Sequence, residues 1–195
     1  MKKICLTGGL ASGKSTAAQY LSEQGASIID ADILGHHAYD RGTIAHQEVI
    51  KTFGEDLITE DGSIDRRLLG KKVFSDPLKL KKLTNIVWPE IRRLAQKKLN
   101  AFEDNEIVVL EAAVLIEAGW QDMGDEIWVV VVEREVAIQR CISRDGLERE
   151  AILNRLDAQI SNKERRQHAD VVLSNNESEE ELFEQLDKQW HRLMT

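Results

Sequence analysis

Residues 8–16 read Gly-Gly-Leu-Ala-Ser-Gly-Lys-Ser-Thr. The run fits G-x-x-x-x-G-K-[ST], the pattern of a loop that cradles nucleotide phosphates, at every required position. Its chemistry is anion binding, in which successive backbone N–H groups and a helix N-terminus converge on one phosphate. Gly8 and Gly13 keep side chains out of the cradle, and Lys14 reaches for the β and γ phosphates. The Ser15 hydroxyl is the expected magnesium ligand, and Ala11, Ser12 and Thr16 complete the expected nucleotide contacts.

Such a loop works only between a strand that feeds it and a helix that leaves it. Both flanks are legible: Ile4 to Thr7 reads as a buried strand, and Ser15 to Glu23 as a helix with Ala17, Ala18 and Leu21 on one face. Four further apolar runs follow, Ser27 to Asp30, Ile107 to Glu111, Ile127 to Val132 and Val171 to Leu173, alternating with helical stretches. That alternation predicts an α/β fold with a five-stranded parallel sheet flanked by helices. Residues 36–105 are too long for an ordinary connection and predict a helical insertion over the carboxyl edge of the sheet, where such folds bind ligands. Residues 135–168 carry Arg140, Arg144, Arg149, Arg155, Arg165 and Arg166, the composition of a helical lid. The expected organisation is one domain over residues 1–195, with its core in 1–35, 106–134 and 169–195.

Carboxylates at strand ends supply the remaining chemistry. Asp30 and Asp32 close the second run, and each reads as a proton acceptor, a holder of magnesium-bound water or a helix cap. Glu111 ends the third run as a second metal-binding or water-positioning acid. A GTPase would need N-K-x-D, and Asn162-Lys163-Glu164-Arg165 lacks the Asp. The short core, insertion and arginine lid suit a small-molecule kinase.

Composition narrows the class further. With 195 residues and a net charge of −8, the chain has room for one α/β core and lacks the basic surface of a general nucleic-acid binder. Cys5 and Cys141 stand far apart without metal-ligand spacing, which predicts a reduced, cytoplasmic protein. The apolar run behind Met1-Lys2-Lys3 is broken by Gly8 and Gly9 before a signal segment can form, and no run is long enough to span a membrane. The acidic run Glu177 to Glu181 reads as the start of the last helix.

Taken in order, LTGGLASGKST, IIDADIL, DGSIDRRLLGKKVFSDP, WPEI, AVLIEAGW, RCISRDG, RLDAQ and ADVVLSN make the chain resemble the dephospho-CoA kinase family over nearly its whole length. The resemblance implies a P-loop kinase fold with an acceptor-binding insertion and a lid. It implies that ATP, with Mg2+, phosphorylates the ribose 3′-hydroxyl of dephospho-CoA; the sequence leaves the oligomeric state open, and a monomer would be sufficient. It also implies Asp32 at the acceptor hydroxyl, Arg66 and Arg67 in the acceptor-binding insertion with Glu111 on the acceptor side, Arg140 and Arg144 at the phosphates, and Asn175 near the adenine. Departures from the family's usual pattern fall at His36, Trp88, Ala137 and Glu111 to Leu115, the last replacing D-x-P-L-L.

Overall fold

The computed structural model describes residues 1–104 and 106–195. Asn105, the end of the expected insertion, lies outside the described residues. The chain divides into two compact units, Met1–Ile29 with Phe102–Thr195, and Asp30–Ala101.

The first unit is built on strands β1 (Lys2–Gly8), β2 (Ser27–Asp30), β3 (Ile107–Glu111), β4 (Glu126–Val131) and β5 (Val171–Ser174), the second of which runs on into Asp30. They form one five-stranded parallel sheet in the order β2-β3-β1-β4-β5. All five expected strands are present. Ile4, Cys5 and Leu6 are each at most 1% exposed, so consecutive residues, which point to opposite faces, are both covered. That is why the strands read as unbroken apolar runs. β1 lies between β3 and β4, so the chain crosses to either side of it and leaves a crevice at its carboxyl end. The phosphate loop leaves β1 there.

Helix α1 (Lys14–Glu23) follows the loop and buries Ala17, Ala18 and Leu21, as its spacing predicts. These pack with Ile4, Leu6, Trp128 and Val130, and with Leu182 and Leu186 of the terminal helix Glu179–Met194. Burying each large aliphatic side chain contributes about 1.5–3 kcal/mol. The terminal helix begins at the Ser178 cap, with Glu179, Glu180 and Glu181 in its first turn, where the helix dipole favours negative charge.

The second unit holds α2 (Ala31–His37), α3 (Ile44–Phe53), α4 (Arg66–Val73) and the long α5 (Pro77–Leu99). Asp30, Thr43, Asp65 and Asp76 cap these helices in turn, each accepting from backbone N–H groups of the first turn. α2, α3 and α4 all pack on α5, which buries Val87, Ile91, Ala95 and Leu99 along one stripe. The arginine-bearing stretch of the first unit is three helices, α6 (Arg134–Asp145), α7 (Arg149–Asp157) and α8 (Asn162–Gln167). The terminal helix is α9. Gly146 ends α6 with a φ of 63°, a left-handed turn that glycine adopts without strain.

Cys5 and Cys141 are both buried, with no disulfide. Burial, with Asp122 and Asp125 nearby, pushes the Cys5 thiol up to about 12, and burial raises Cys141 as well. Since the thiolate is the reactive form, neither residue should react appreciably with a thiol reagent at pH 8 while the protein is folded. Both should titrate after unfolding in guanidinium. Rapid labelling of native protein would contradict this.

Candidate active site

Backbone geometry makes the cradle. Ala11 has a φ of 55° and Gly13 a φ of 91°, so two residues of the loop turn left-handed and aim their neighbours' N–H groups inward. A Cβ on Gly8 would lie 2.7 Å from the Val130 carbonyl oxygen and collide with Ser12 Oγ. One on Gly13 would collide with Asn175 Nδ2. Both glycines are therefore required by close approach as well as by the cradle. Ser12 is 1% exposed, and its hydroxyl has no hydrogen-bond partner among the described residues.

The register of the sheet brings the charged groups together. Leu6 of β1 pairs with Glu111 of β3, placing this carboxylate one strand away from the start of the loop. Glu111 Oε1 lies 2.8 Å from Lys14 Nζ and accepts a 2.9 Å hydrogen bond from Ser15 Oγ. Glu111 is 4% exposed, so its attraction to Lys14 is screened far less than between exposed charges. The expected metal ligand, the phosphate lysine and the second acid thus meet at one oxygen.

Arg140 and Arg144 of α6 border a groove of about 430 Å³ with Ala11, Gly13, Thr16 and Asn175. Arg140 donates to the Ala11 carbonyl at 3.4 Å and to Asn175 Oδ1 at 3.3 Å. Arg144 is exposed and bidentate to Asp145, at 2.8 and 2.9 Å. Asn175 is buried, and its Nδ2 donates to the Ser12 carbonyl at 2.8 Å, so its amide clamps the loop at the edge of the groove.

In the second unit Asp30 Oδ1 accepts from the N–H groups of Asp32 and Ile33, at 2.8 and 2.9 Å. The cap of α2 is therefore Asp30, and Asp32 is an exposed residue of the first turn. Arg66 stacks over Tyr39, 4.8 Å from the ring centroid, and donates to His36 Nδ1 at 2.6 Å. Arg66 and Arg67 line a groove of about 630 Å³ with Gly70, Lys71, Phe74 and Ser75.

Two residues within the motifs RLDAQ and AVLIEAGW take part without a role assigned from sequence. Gln159, between α7 and α8, accepts from Leu10 N–H at 3.0 Å, and Glu117 lies 3.6 Å from Arg165. Both act across long stretches of chain, which no spacing rule covers.

A family model described as dephospho-CoA kinase matches residues 3–181. The dephospho-CoA kinase of Geobacter sulfurreducens is 43% identical over 192 residues, covering 97% of this chain and 98% of the relative. The chain belongs to the dephospho-CoA kinase family. Solved structures agree with this membership. A Campylobacter jejuni dephospho-CoA kinase superposes with a TM-score of 0.75 at 27% identity, covering 99% of this chain and 98% of its own. The Thermus thermophilus protein TT1252 does so with a TM-score of 0.84 at 34% identity, covering 100% and 98%.

Proposed function

We propose how this chain, by family an ATP-dependent dephospho-CoA kinase of the last step of coenzyme A biosynthesis, divides the work of phosphoryl transfer among its residues. Lys14 and Arg140 hold the nucleotide phosphates, Asp32 accepts or orients the proton of the ribose 3′-hydroxyl, and Arg144 joins the phosphates when the lid closes. The observation that carries this reading is the convergence of Lys14 and Ser15 on Glu111 at the mouth of the loop.

Phosphoryl transfer runs through a loose transition state, so the protein contributes mainly position and charge. Lys14 supplies positive charge where the leaving oxygens gain negative charge. ATP entering the cradle competes with Glu111 for Lys14, because a multiply charged phosphate is the stronger partner. The Ser15 hydroxyl and the Glu111 carboxylate are hard oxygen donors 2.9 Å apart, a set that fits Mg2+ beside nucleotide phosphates. When bound there, Mg2+ would neutralise phosphate charge.

The groove along α4 suits the acceptor. Arg66, Arg67 and Lys71 offer positive charge to a pyrophosphate, and Phe74, 76% exposed, offers an apolar face to a pantetheine arm. A cytoplasmic location completes the reading. It is supported by the unpaired thiols and by a chain in which, among the described residues, no helix is long and apolar enough to cross a membrane.

A coupled assay for ADP release tests the proposal. Dephospho-CoA should drive release well above the ATP-only rate, and nucleosides, nucleoside monophosphates and shikimate should not. Faster turnover with any of those acceptors would overturn the assignment.

A further inference from the structure

Arg165 of α8 lies against the phosphate loop at Gly9 and is only 3% exposed. A Cβ on Gly9 would sit 3.0 Å from its Nη1, so the guanidinium approaches the loop as closely as glycine permits. A guanidinium carries five N–H donors, and burying it is costly unless they are used. Here they are poorly used. Its Nη2 donates to Gln159 Oε1 at a long 3.4 Å and lies 3.6 Å from Glu117 Oε1, and its Nε has no partner among the described residues. Burial pulls the guanidinium's proton affinity down, while Glu117 and Glu164 pull it back up. Arg165 also lines a cavity of about 250 Å³ with Gly9, Leu10 and Gln159, so there is room for another group.

Gln159 Oε1 is the informative atom. It accepts from Leu10 N–H at 3.0 Å and from Arg165 at once, so a loop amide and a guanidinium converge on one oxygen. Those two donor types are what a phosphoryl oxygen attracts. We propose that Arg165 is a further phosphate-binding residue of this site, and that the Gln159 side-chain oxygen holds the place of a γ-phosphoryl oxygen of ATP until the nucleotide enters. The γ-phosphate then takes the Leu10 N–H and Arg165, and the Gln159 amide swings into the adjoining cavity. ADP, lacking the γ-phosphate, leaves the Gln159 contacts in place. The inference rests on the nucleotide site proposed above and adds residues to it.

The test compares binding of a non-hydrolysable β,γ-imido ATP analogue with binding of ADP, by calorimetry, in wild type, Gln159→Glu and Arg165→Lys. Gln159→Glu keeps shape and acceptor but adds a negative charge that repels the γ-phosphate and grips Arg165 more tightly. It should weaken the ATP analogue by about tenfold or more and ADP by less than about twofold. Arg165→Lys loses the planar fork and should shift the ratio in the same direction. A purely structural brace would tolerate the glutamate, which pairs well with arginine, and the ratio of the two affinities would stay at its wild-type value. That result overturns the proposal. Melting temperatures identify a variant that fails to fold, and if Arg165→Lys does so the near-isosteric Gln159→Glu decides alone. Wild type that bound neither nucleotide would overturn the underlying nucleotide site as well.

Discussion

Lys14→Ala is expected to lower turnover with dephospho-CoA by about 10³-fold, the effect of removing a preorganised positive group from the site where transition-state charge develops. The structure adds a complication, because Lys14 is also the cation beside the buried Glu111 carboxylate. Removing one partner of a buried pair leaves the other charge uncompensated, so the single variant should also lose stability. Ser15 still donates to Glu111 Oε1, which limits that loss. The double variant Lys14→Ala/Glu111→Gln separates the two effects. Neutralising residue 111 should restore the melting temperature toward wild type while activity stays low. Recovery of activity together with stability would mean that Lys14 acts only as a structural counter-ion.

Asp32→Asn should lower kcat by about 10² or more while the affinity for ATP changes by less than about twofold. The hydroxyl of a ribose is a weak nucleophile until its proton is accepted or its lone pair is aimed. A carboxylate can do both, whereas an amide of the same size retains only part of the orientation. Since the loose transition state needs little nucleophilic push, much of the loss should come from misorientation. The competing role for this residue, capping α2, is taken by Asp30, whose Oδ1 receives two backbone N–H groups. Asp30→Ala should therefore cost about 1 kcal/mol of stability through the lost cap, and Asp32→Asn much less. Single-turnover kinetics and thermal melts on both variants make the comparison. Wild-type kcat in Asp32→Asn would leave the acceptor hydroxyl without an identified base.

The sequence by itself determined the elements and the loop. The phosphate loop is legible because its function is local: its glycines, lysine and hydroxyl must be close in the chain to fold around one phosphate. The five strands are legible because a sheet covered on both faces forces continuous apolar runs, as in Ile4 to Leu6 and Ile127 to Val132. The i, i+4 spacing of Arg140 and Arg144 was legible in the same way, since both are on α6. Two acids two residues apart could not be assigned from sequence, because capping depends on where the helix starts, and only the backbone identified Asp30 as the cap. Tertiary structure also decided what meets the loop from far along the chain. Glu111 reaches Lys14 and Ser15 through strand register, Asn175 clamps Ser12 from the end of β5, and Gln159 and Arg165 arrive from the α7–α8 segment. No spacing predicts such contacts, because strand order and helix packing set them through burial of the core, and the residues that carry them can lie more than a hundred positions from the loop.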